Sequence, residues 1–251
     1  MVAIDRIVPR LELEDPRRTT ETVHSTLREL IYSGELPAGL IISQVELSEA
    51  LGVSRTPLRE AIRMLQEEGL IDAQANRRCR IAGFDATDVD STCGSRIMLE
   101  ALGMSLTLAH HDEEILKAAL DALEEMEADE HPGVSSAWHA AHHRFHNSFT
   151  SHAPGALRDQ LSAGAERAER YVRQLAQGVL MGWSHGREEH RRIYSLITER
   201  RVNEAIVATC QHYARTAVTL LADVSPEFEP AATRSAIRLV SRSLDAELAR
   251  V

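Results

Sequence analysis

Apolar residues recur at helical spacing in two neighbouring segments near the N-terminus. The first segment closes at Gly52, a residue suited to the left-handed conformation after a helix, and its apolar positions are Leu47, Ala50 and Leu51. The second begins near Ser54, a suitable N-cap, with Pro57 in the first turn, where a missing N–H costs little. Its inward positions are Leu58, Ala61, Ile62 and Leu65. The pattern predicts two short helices joined by a turn.

The second of these helices keeps its polar side chains outside and near its start. They are Ser54, Arg55, Thr56, Arg59 and Arg63. A helix that presents Arg and Thr from its first two turns is suited to a DNA major groove. An ordinary helical hairpin with a solvated basic face fits the spacing equally well.

The following residues favour DNA binding. Gly69 ends the helix, and two short apolar segments around a turn predict a β-hairpin whose tip carries Arg77, Arg78 and Arg80. These side chains suit phosphates or a minor groove. Between Ser54 and Arg80 there are six Arg against four acidic residues, in a chain of formal net charge -10. Basic charge confined to one place is typical of a specific DNA-binding surface.

This region resembles the winged helix-turn-helix of GntR-type transcriptional regulators over residues 19–83. The resemblance is carried by Gly34-Glu-Leu-Pro-Ala-Gly39, Glu46-Leu-Ser-Glu49, Leu51-Gly-Val-Ser-Arg-Thr-Pro-Leu-Arg-Glu-Ala61 and Glu68-Gly-Leu70. It implies that Arg55, Thr56 and Arg59 contact DNA and that the wing touches the adjacent groove.

The periodicity divides the 251 residues into five parts. Residues 1–18 contain Pro9 and Pro16 without a clear period, which predicts a flexible arm. Residues 19–83 form the DNA-binding domain, which a helix ending near Gly34 opens, and residues 84–88 form a linker. Helical segments fill residues 89–225, and one more helix follows within 226–251. The expected fold is mainly α, a winged helix-turn-helix followed by an all-α helical bundle that binds a ligand.

The amino-acid composition agrees with this fold and also bears on the cellular compartment of the protein. With 43% apolar but only 4% aromatic residues, the core is built from aliphatic side chains, which favours close-packed helices. No apolar run has membrane-spanning length, and the N-terminus lacks a signal-peptide pattern. Three distant Cys indicate a reducing environment. We therefore expect a cytoplasmic protein without membrane contact.

The helical part resembles the FCD-type ligand domain of the FadR branch of these regulators. Arg96-Ile-Met-Leu-Glu100, Phe145-His146, Glu189-His190, and Glu204-Ala205 followed by His212 carry this more diffuse resemblance.

The chain contains 12 His, and four of them point inward on three predicted helices. His142 and His146 are i, i+4 neighbours on an inner edge, whereas His143 points toward solvent. His190 and His212 share faces with the apolar residues of their own helices. Four neutral imidazoles suit Zn²⁺ or Ni²⁺. Each residue alone also fits a hydrogen-bonded core histidine.

The resemblance implies metal ligation by His146, His190 and His212 directly. His142 stands where the family usually carries Asp, so the site loses one negative charge and favours nitrogen-loving metals. The family also implies a small organic-acid effector beside the metal. Arg96 is suited to pair with such an anion, and an ion pair with Glu100 at i, i+4 is an equal alternative.

The leading interpretation is a transcriptional regulator, a repressor that binds a palindromic double-stranded operator as a homodimer under control of a small carboxylate effector. A metal-dependent enzyme is the alternative, although the chain lacks a His-Glu-x-x-His motif and catalysis leaves the winged helix unexplained. We therefore expect no enzymatic activity. A structural DNA-binding protein without effector is the third possibility.

Overall fold

The computed structural model describes residues 4–12, 18–74, 78–83, 85–109, 112–129, 135–176 and 183–248. They belong to two compact units, Met1–Phe84 and Asp85–Val251. In these ranges, no helix combines the length and the apolar character that crossing a membrane requires.

The first unit combines three α-helices with a small sheet. Its elements are α1 (Thr19–Tyr32), β1 (Ile41–Ser43), α2 (Gln44–Leu51), α3 (Arg55–Glu67), β2 (Ile71–Gln74) and β3 (Arg78–Ile81). The strands are antiparallel in the order β1-β3-β2, with Asp72 opposite Arg80 in the hairpin. The hairpin matches the prediction. Strand β1 was not predicted, because three residues are too few to show a period of two.

Local signals set the ends of the helices in this unit. Ser43 begins α2 through a capping box, in which its hydroxyl accepts the Glu46 N–H and the Glu46 carboxylate accepts the Ser43 N–H, both at 3.0 Å. Gly52 ends α2 with a φ of 72°, in the left-handed region that glycine adopts at little cost. All four residues predicted to face inward on α3 are buried. They join α1 and α2 in one aliphatic core.

The N-terminal segment differs from the flexible arm predicted over residues 1–18. In the described part, Ile4–Arg6 forms a 3₁₀ turn, Val8 is only 3% exposed, and the Leu11 N–H donates to the Leu51 carbonyl at 3.0 Å. Apolar residues at i, i+3 and i+4 give the short segment one face, which packs on α2 and the core of the first unit.

The second unit is an all-α bundle, as predicted. Its helices are α4 (Ala86–Thr107), α5 (Glu113–Ala128), α6 (Ser136–Ser148), α7 (Gly155–Ala176), α8 (Trp183–Thr198), α9 (Val202–Val224) and α10 (Ala231–Leu248). Helix α4 packs against α7, α9 and α10. It starts inside the segment predicted as a linker, 84–88, because the Asp85 carboxylate accepts the N–H groups of Thr87 and Asp88 and so caps the helix.

Helices α4 and α9 are antiparallel. The Cys93 thiol donates to the Tyr213 carbonyl at 3.5 Å, and the Cys210 thiol donates to the Ile97 carbonyl at 3.7 Å. Residues further toward the C-terminus of α4 therefore lie beside residues further toward the N-terminus of α9.

The first turn of helix α10 is hydrogen-bonded to α4. The buried Asp90 carboxylate accepts the N–H groups of Ala232 and Thr233, each at 2.9 Å. One turn further along α4, a Cβ added at Gly94 would lie 2.9 Å from the Ala232 carbonyl carbon. The two helices thus approach closely at a glycine, and α10 is an integral part of the bundle.

We expect Gly94→Ala to lower the free energy of unfolding by about 1–3 kcal/mol, because the added methyl group overlaps a backbone that must shift. Gly164→Ala on α7 is the matched control, since nothing lies within 4 Å of its added Cβ. That variant should be neutral or gain up to about 1 kcal/mol from higher helix propensity. Urea denaturation measures both, and equal stability of Gly94→Ala and the parent would show that α10 does not approach α4 so closely.

Candidate metal centre and nucleic-acid interface

Four imidazoles from three helices converge inside the second unit. His142 and His146 come from α6, His190 from α8 and His212 from α9, and one ring nitrogen of each lies within 4.8 Å of the others. The Nε2 atom of His146 is 3.2 Å from that of His142 and 3.3 Å from that of His190. The structure therefore brings together all four residues that the sequence singled out as metal ligands.

Helix α6 holds its two imidazoles through its apolar anchors. Phe145 and Phe149 are fully buried, and Trp138 stacks on the His142 ring with centroids 4.8 Å apart and planes 14° apart. Because His142 and His146 are four residues apart, they lie one above the other on the same face. His146 is 2% exposed, and His142 is half-buried at the edge of the cluster.

The donor atoms fit a metal ion better than a hydrogen-bond chain. Two nitrogens on one tetrahedral zinc ion, each about 2.0–2.1 Å from it, lie about 3.3 Å apart. The two separations from Nε2 of His146 agree with that value, and all four donor atoms lie within 4.8 Å of one another. Without a cation, Nε2 of His146 faces Nε2 of both His142 and His190. Because this nitrogen carries either one proton or one lone pair, it cannot form a full hydrogen bond with both of them.

Burial keeps these imidazoles in the form that binds metals. Desolvation is the main cause that lowers the pKa of His142, His146 and His190 well below the ordinary value, and neighbouring imidazoles add to it. Desolvation likewise lowers the pKa of His212 to about 4. The cluster is therefore neutral at pH 7, and neutral imidazole is the ligating form.

Glu189 orients the fourth imidazole. Its carboxylate accepts the Nδ1–H of His212 at 2.7 Å, which leaves Nε2 of His212 for the cluster, and Arg215 pairs with the same carboxylate. Carboxylates in this position fix the tautomer and orientation of metal-ligating histidines. The sequence pattern does not predict this role, because no helical spacing relates Glu189 to a histidine 23 residues later.

The cluster borders a cavity of about 450 Å³ lined by α4, α6, α7, α8 and α9. Arg96 lies in this lining, with its Nε 3.3 Å from a Glu100 carboxylate oxygen and its guanidinium carbon 3.9 Å from the Tyr213 ring centroid. The two roles considered for Arg96 are therefore compatible, since it pairs with Glu100 and also borders the cavity. His143 was expected to point toward solvent, but it is half-buried and lines the same cavity.

The predicted DNA-contacting residues of α3 are exposed. These are Ser54, Arg55, Thr56, Arg59 and Arg63. Ser54 occupies the N-cap position, but its side chain makes no capping hydrogen bond. In the part of the chain that the structure describes, no carboxylate pairs with Arg55 or Arg59.

The remaining arginines differ in their surroundings. Arg63 pairs with Glu60 and Glu67 on its own helix, at 3.3 and 2.5 Å, and Arg80 pairs with Asp72 across the hairpin at 2.9 Å. Arg78 is exposed on β3. Arg77 lies outside the described residues. Of the predicted DNA-contacting arginines that the structure describes, Arg55, Arg59 and Arg78 thus have no carboxylate partner, whereas Arg63 and Arg80 do.

Family profiles match both units. The profile described as bacterial regulatory proteins of the gntR family matches residues 19–81, and the profile of the FCD domain matches residues 93–215. The chain belongs to the GntR family and carries an FCD domain. Both resemblances noted in the sequence are thereby confirmed.

Curated relatives are named as regulators of transcription. The chain is 34% identical over 123 residues to the HTH-type transcriptional regulator YdhC of Bacillus subtilis (strain 168), a match that covers 49% of this chain and 55% of the relative. It is 28% identical over 152 residues to a protein of Paenarthrobacter nicotinovorans named "Probable D-xylose utilization operon transcriptional repressor", covering 58% of this chain and 66% of that protein. The two matches thus cover 55% and 66% of the length of these relatives.

Solved structures share the fold. Escherichia coli McbR/YncC aligns over 82% of this chain and 98% of its own with a TM-score of 0.65 at 17% identity. A GntR regulator from Rhodococcus sp. RHA1 aligns over 80% and 97% with a TM-score of 0.65 at 23% identity. At these identities the likeness shows the fold.

We expect Glu189→Gln to lower zinc affinity by about 10–100-fold, because the amide no longer supplies the negative charge that orients and strengthens His212 as a ligand. The matched control is Glu188→Gln, a neighbouring exposed residue outside the cavity lining. Competition against a chromophoric chelator measures both affinities. Equal zinc affinity of the two variants would exclude His212 as a ligand held by Glu189.

Proposed function

We propose that the protein is a homodimeric transcriptional repressor whose binding to a palindromic operator is controlled by a carboxylate effector in a metal-containing bundle. The observation that carries the proposal is that one chain combines exposed arginines at the start of α3 with four converging imidazoles, three of which line a cavity.

The DNA contacts follow from α3. Arg55 and Arg59 have the length and the bidentate geometry to read guanine edges, while Thr56 and Ser54 suit a base or a phosphate. Arg78 and Arg80 on β3, with Arg77, supply cationic charge for the backbone or the minor groove. Since one winged helix covers a half-site, two copies related by a two-fold axis read a palindrome.

The imidazoles of His142, His146, His190 and His212 would hold the metal, for which zinc or nickel fits the nitrogen donors best. A dication held there would attract a carboxylate, either beside the four imidazoles or as an added ligand. Because all four imidazoles are neutral, the effector and more distant groups such as Glu189 would balance its charge. Arg96 adds a second cationic group to the lining of the cavity.

Neither rival function accounts for both units. The family and its named relatives are regulators of transcription rather than enzymes, and catalysis leaves α3 without a role. A structural DNA-binding protein leaves the cavity and its buried imidazoles without a role.

We expect Arg55→Ala and Arg59→Ala each to weaken specific operator binding by about 1–3 kcal/mol, the range for losing a bidentate contact to a guanine edge. Folding should be unaffected, because both side chains are exposed. Fluorescence anisotropy on a mapped operator at one salt concentration measures the loss. The control is Arg158→Ala on α7 in the second unit. Operator affinities equal to the parent in both α3 variants would refute α3 as the recognition helix.

We expect His146→Ala, His190→Ala or His212→Ala to remove most of the bound metal and to lower the melting temperature in zinc, because three remaining ligands hold a cation less well. His152→Ala is the control, since His152 is half-exposed and outside the cluster. Metal analysis of protein purified without a tag or added metal provides the measurement. Equal, near-zero metal in the parent and every variant would end the metal proposal.

A further inference from the structure

We infer that the effector is an elongated monocarboxylate with an apolar body, rather than a compact polycarboxylate. The inference rests on the proposed function, because it names the chemical class of the effector for the same cavity.

Along α4 and α9, the cavity extends away from the cluster in one direction. At the level of the imidazoles, its lining contains Arg96 on α4 and His212 on α9. From there it reaches Val89 on α4 and Asp223 on α9. Since these two helices are antiparallel, both extensions point toward the N-terminal end of α4. The helical rise makes the Arg96–Val89 step about 10 Å and the His212–Asp223 step about 16 Å.

Helix α7 continues the lining along this direction. Tyr171 borders the cavity, and its hydroxyl donates to the carboxylate of Asp88 in the first turn of α4. Arg167, one turn earlier on α7, pairs with the same carboxylate. The far end of the cavity therefore lies beside the first turns of α4.

Beyond the imidazoles, most of the cavity surface is apolar. Its aliphatic side chains are Val89, Ala165, Ala168, Val172, Ala217 and Leu220, and its uncharged polar side chains are Thr92, Tyr171, Thr216 and Thr219. The aliphatic residues stabilise methylene groups, and the hydroxyl groups give a second negative charge no counter-ion. Burying one methylene gains about 0.8 kcal/mol, which corresponds to about fourfold in affinity. A cavity of about 450 Å³ also exceeds what a two- or three-carbon acid would fill.

The two ends of the cavity differ in the charge of their lining residues. Arg96 lies at the cluster end, where a metal ion held by the neutral imidazoles would add positive charge, whereas Asp223 of α9 lies at the other end. Between them, Glu169 already pairs with Arg173 at 2.7 Å and with His139 at 3.5 Å. Arg215 pairs with Glu189 near His212. An acid with one carboxylate fits this arrangement, and a second carboxylate at the far end would meet Asp223.

The test is calorimetric titration of the zinc-loaded full chain with acetate, butanoate, hexanoate, octanoate, octanedioate and citrate. Affinity should rise by about fourfold per methylene from acetate to octanoate. Octanedioate, of equal length, should bind several-fold more weakly than octanoate, because its second carboxylate approaches Asp223, whose repulsion is partly screened by solvent. Citrate should also bind more weakly than octanoate.

Variants of the cavity lining test where the apolar body of the effector binds. Leu220→Ser should weaken octanoate by about tenfold and leave acetate unchanged, whereas the same change at Leu239, which is 57% exposed on α10, should affect neither. Asp223→Asn should narrow the gap between octanedioate and octanoate without altering octanoate. Because Asp223 is exposed, this variant is expected to fold even where Leu220→Ser does not.

An affinity that does not change with chain length, or tighter binding of citrate or octanedioate than of octanoate, would overturn the inference. The zinc content of the same samples distinguishes a wrong effector class from a wrong proposed function. If the cluster holds no zinc, the proposed metal centre is refuted, and the chain-length series still decides the class of effector.

Discussion

A buried imidazole nitrogen needs a proton donor, a proton acceptor or a metal as its partner, and the second unit places four such rings together. Hydrogen bonds between the rings cannot satisfy all of them, because Nε2 of His146 faces two equivalent nitrogens at 3.2 and 3.3 Å. A cation held among the four rings would give each ring a partner at one nitrogen, while Nδ1 of His146 stays buried without a hydrogen-bond partner among the described residues. The bundle is built to hold this arrangement, with aromatic anchors on α6 and a carboxylate behind His212.

Helix α4 relates this cluster to the rest of the second unit. Its first turn carries Asp88, which is bonded to Tyr171 of α7, and its second carries Asp90, which holds α10. Arg96, about two turns further, borders the cavity beside the imidazoles. The helix also follows directly on the segment that connects it to the DNA-binding unit.

Much of this structure could be predicted from periodicity. The inward residues of α3 and the seven helices of the bundle follow from apolar spacing, and the four imidazoles follow from spacing together with a family resemblance. What the sequence did not reveal depends on contacts between distant segments. Strand β1 forms because β3 pairs with it, residues 4–12 pack because α2 offers a surface, and Glu189 acts on a histidine of another helix. Such contacts leave no period in the chain.

The central claim is that the metal cluster and its cavity control operator binding. The most direct measurement is the operator dissociation constant of the full chain in four conditions, with and without zinc and with and without octanoate, at one salt concentration. The account predicts that octanoate changes the dissociation constant only when zinc is bound. A dissociation constant that is the same in all four conditions would contradict it.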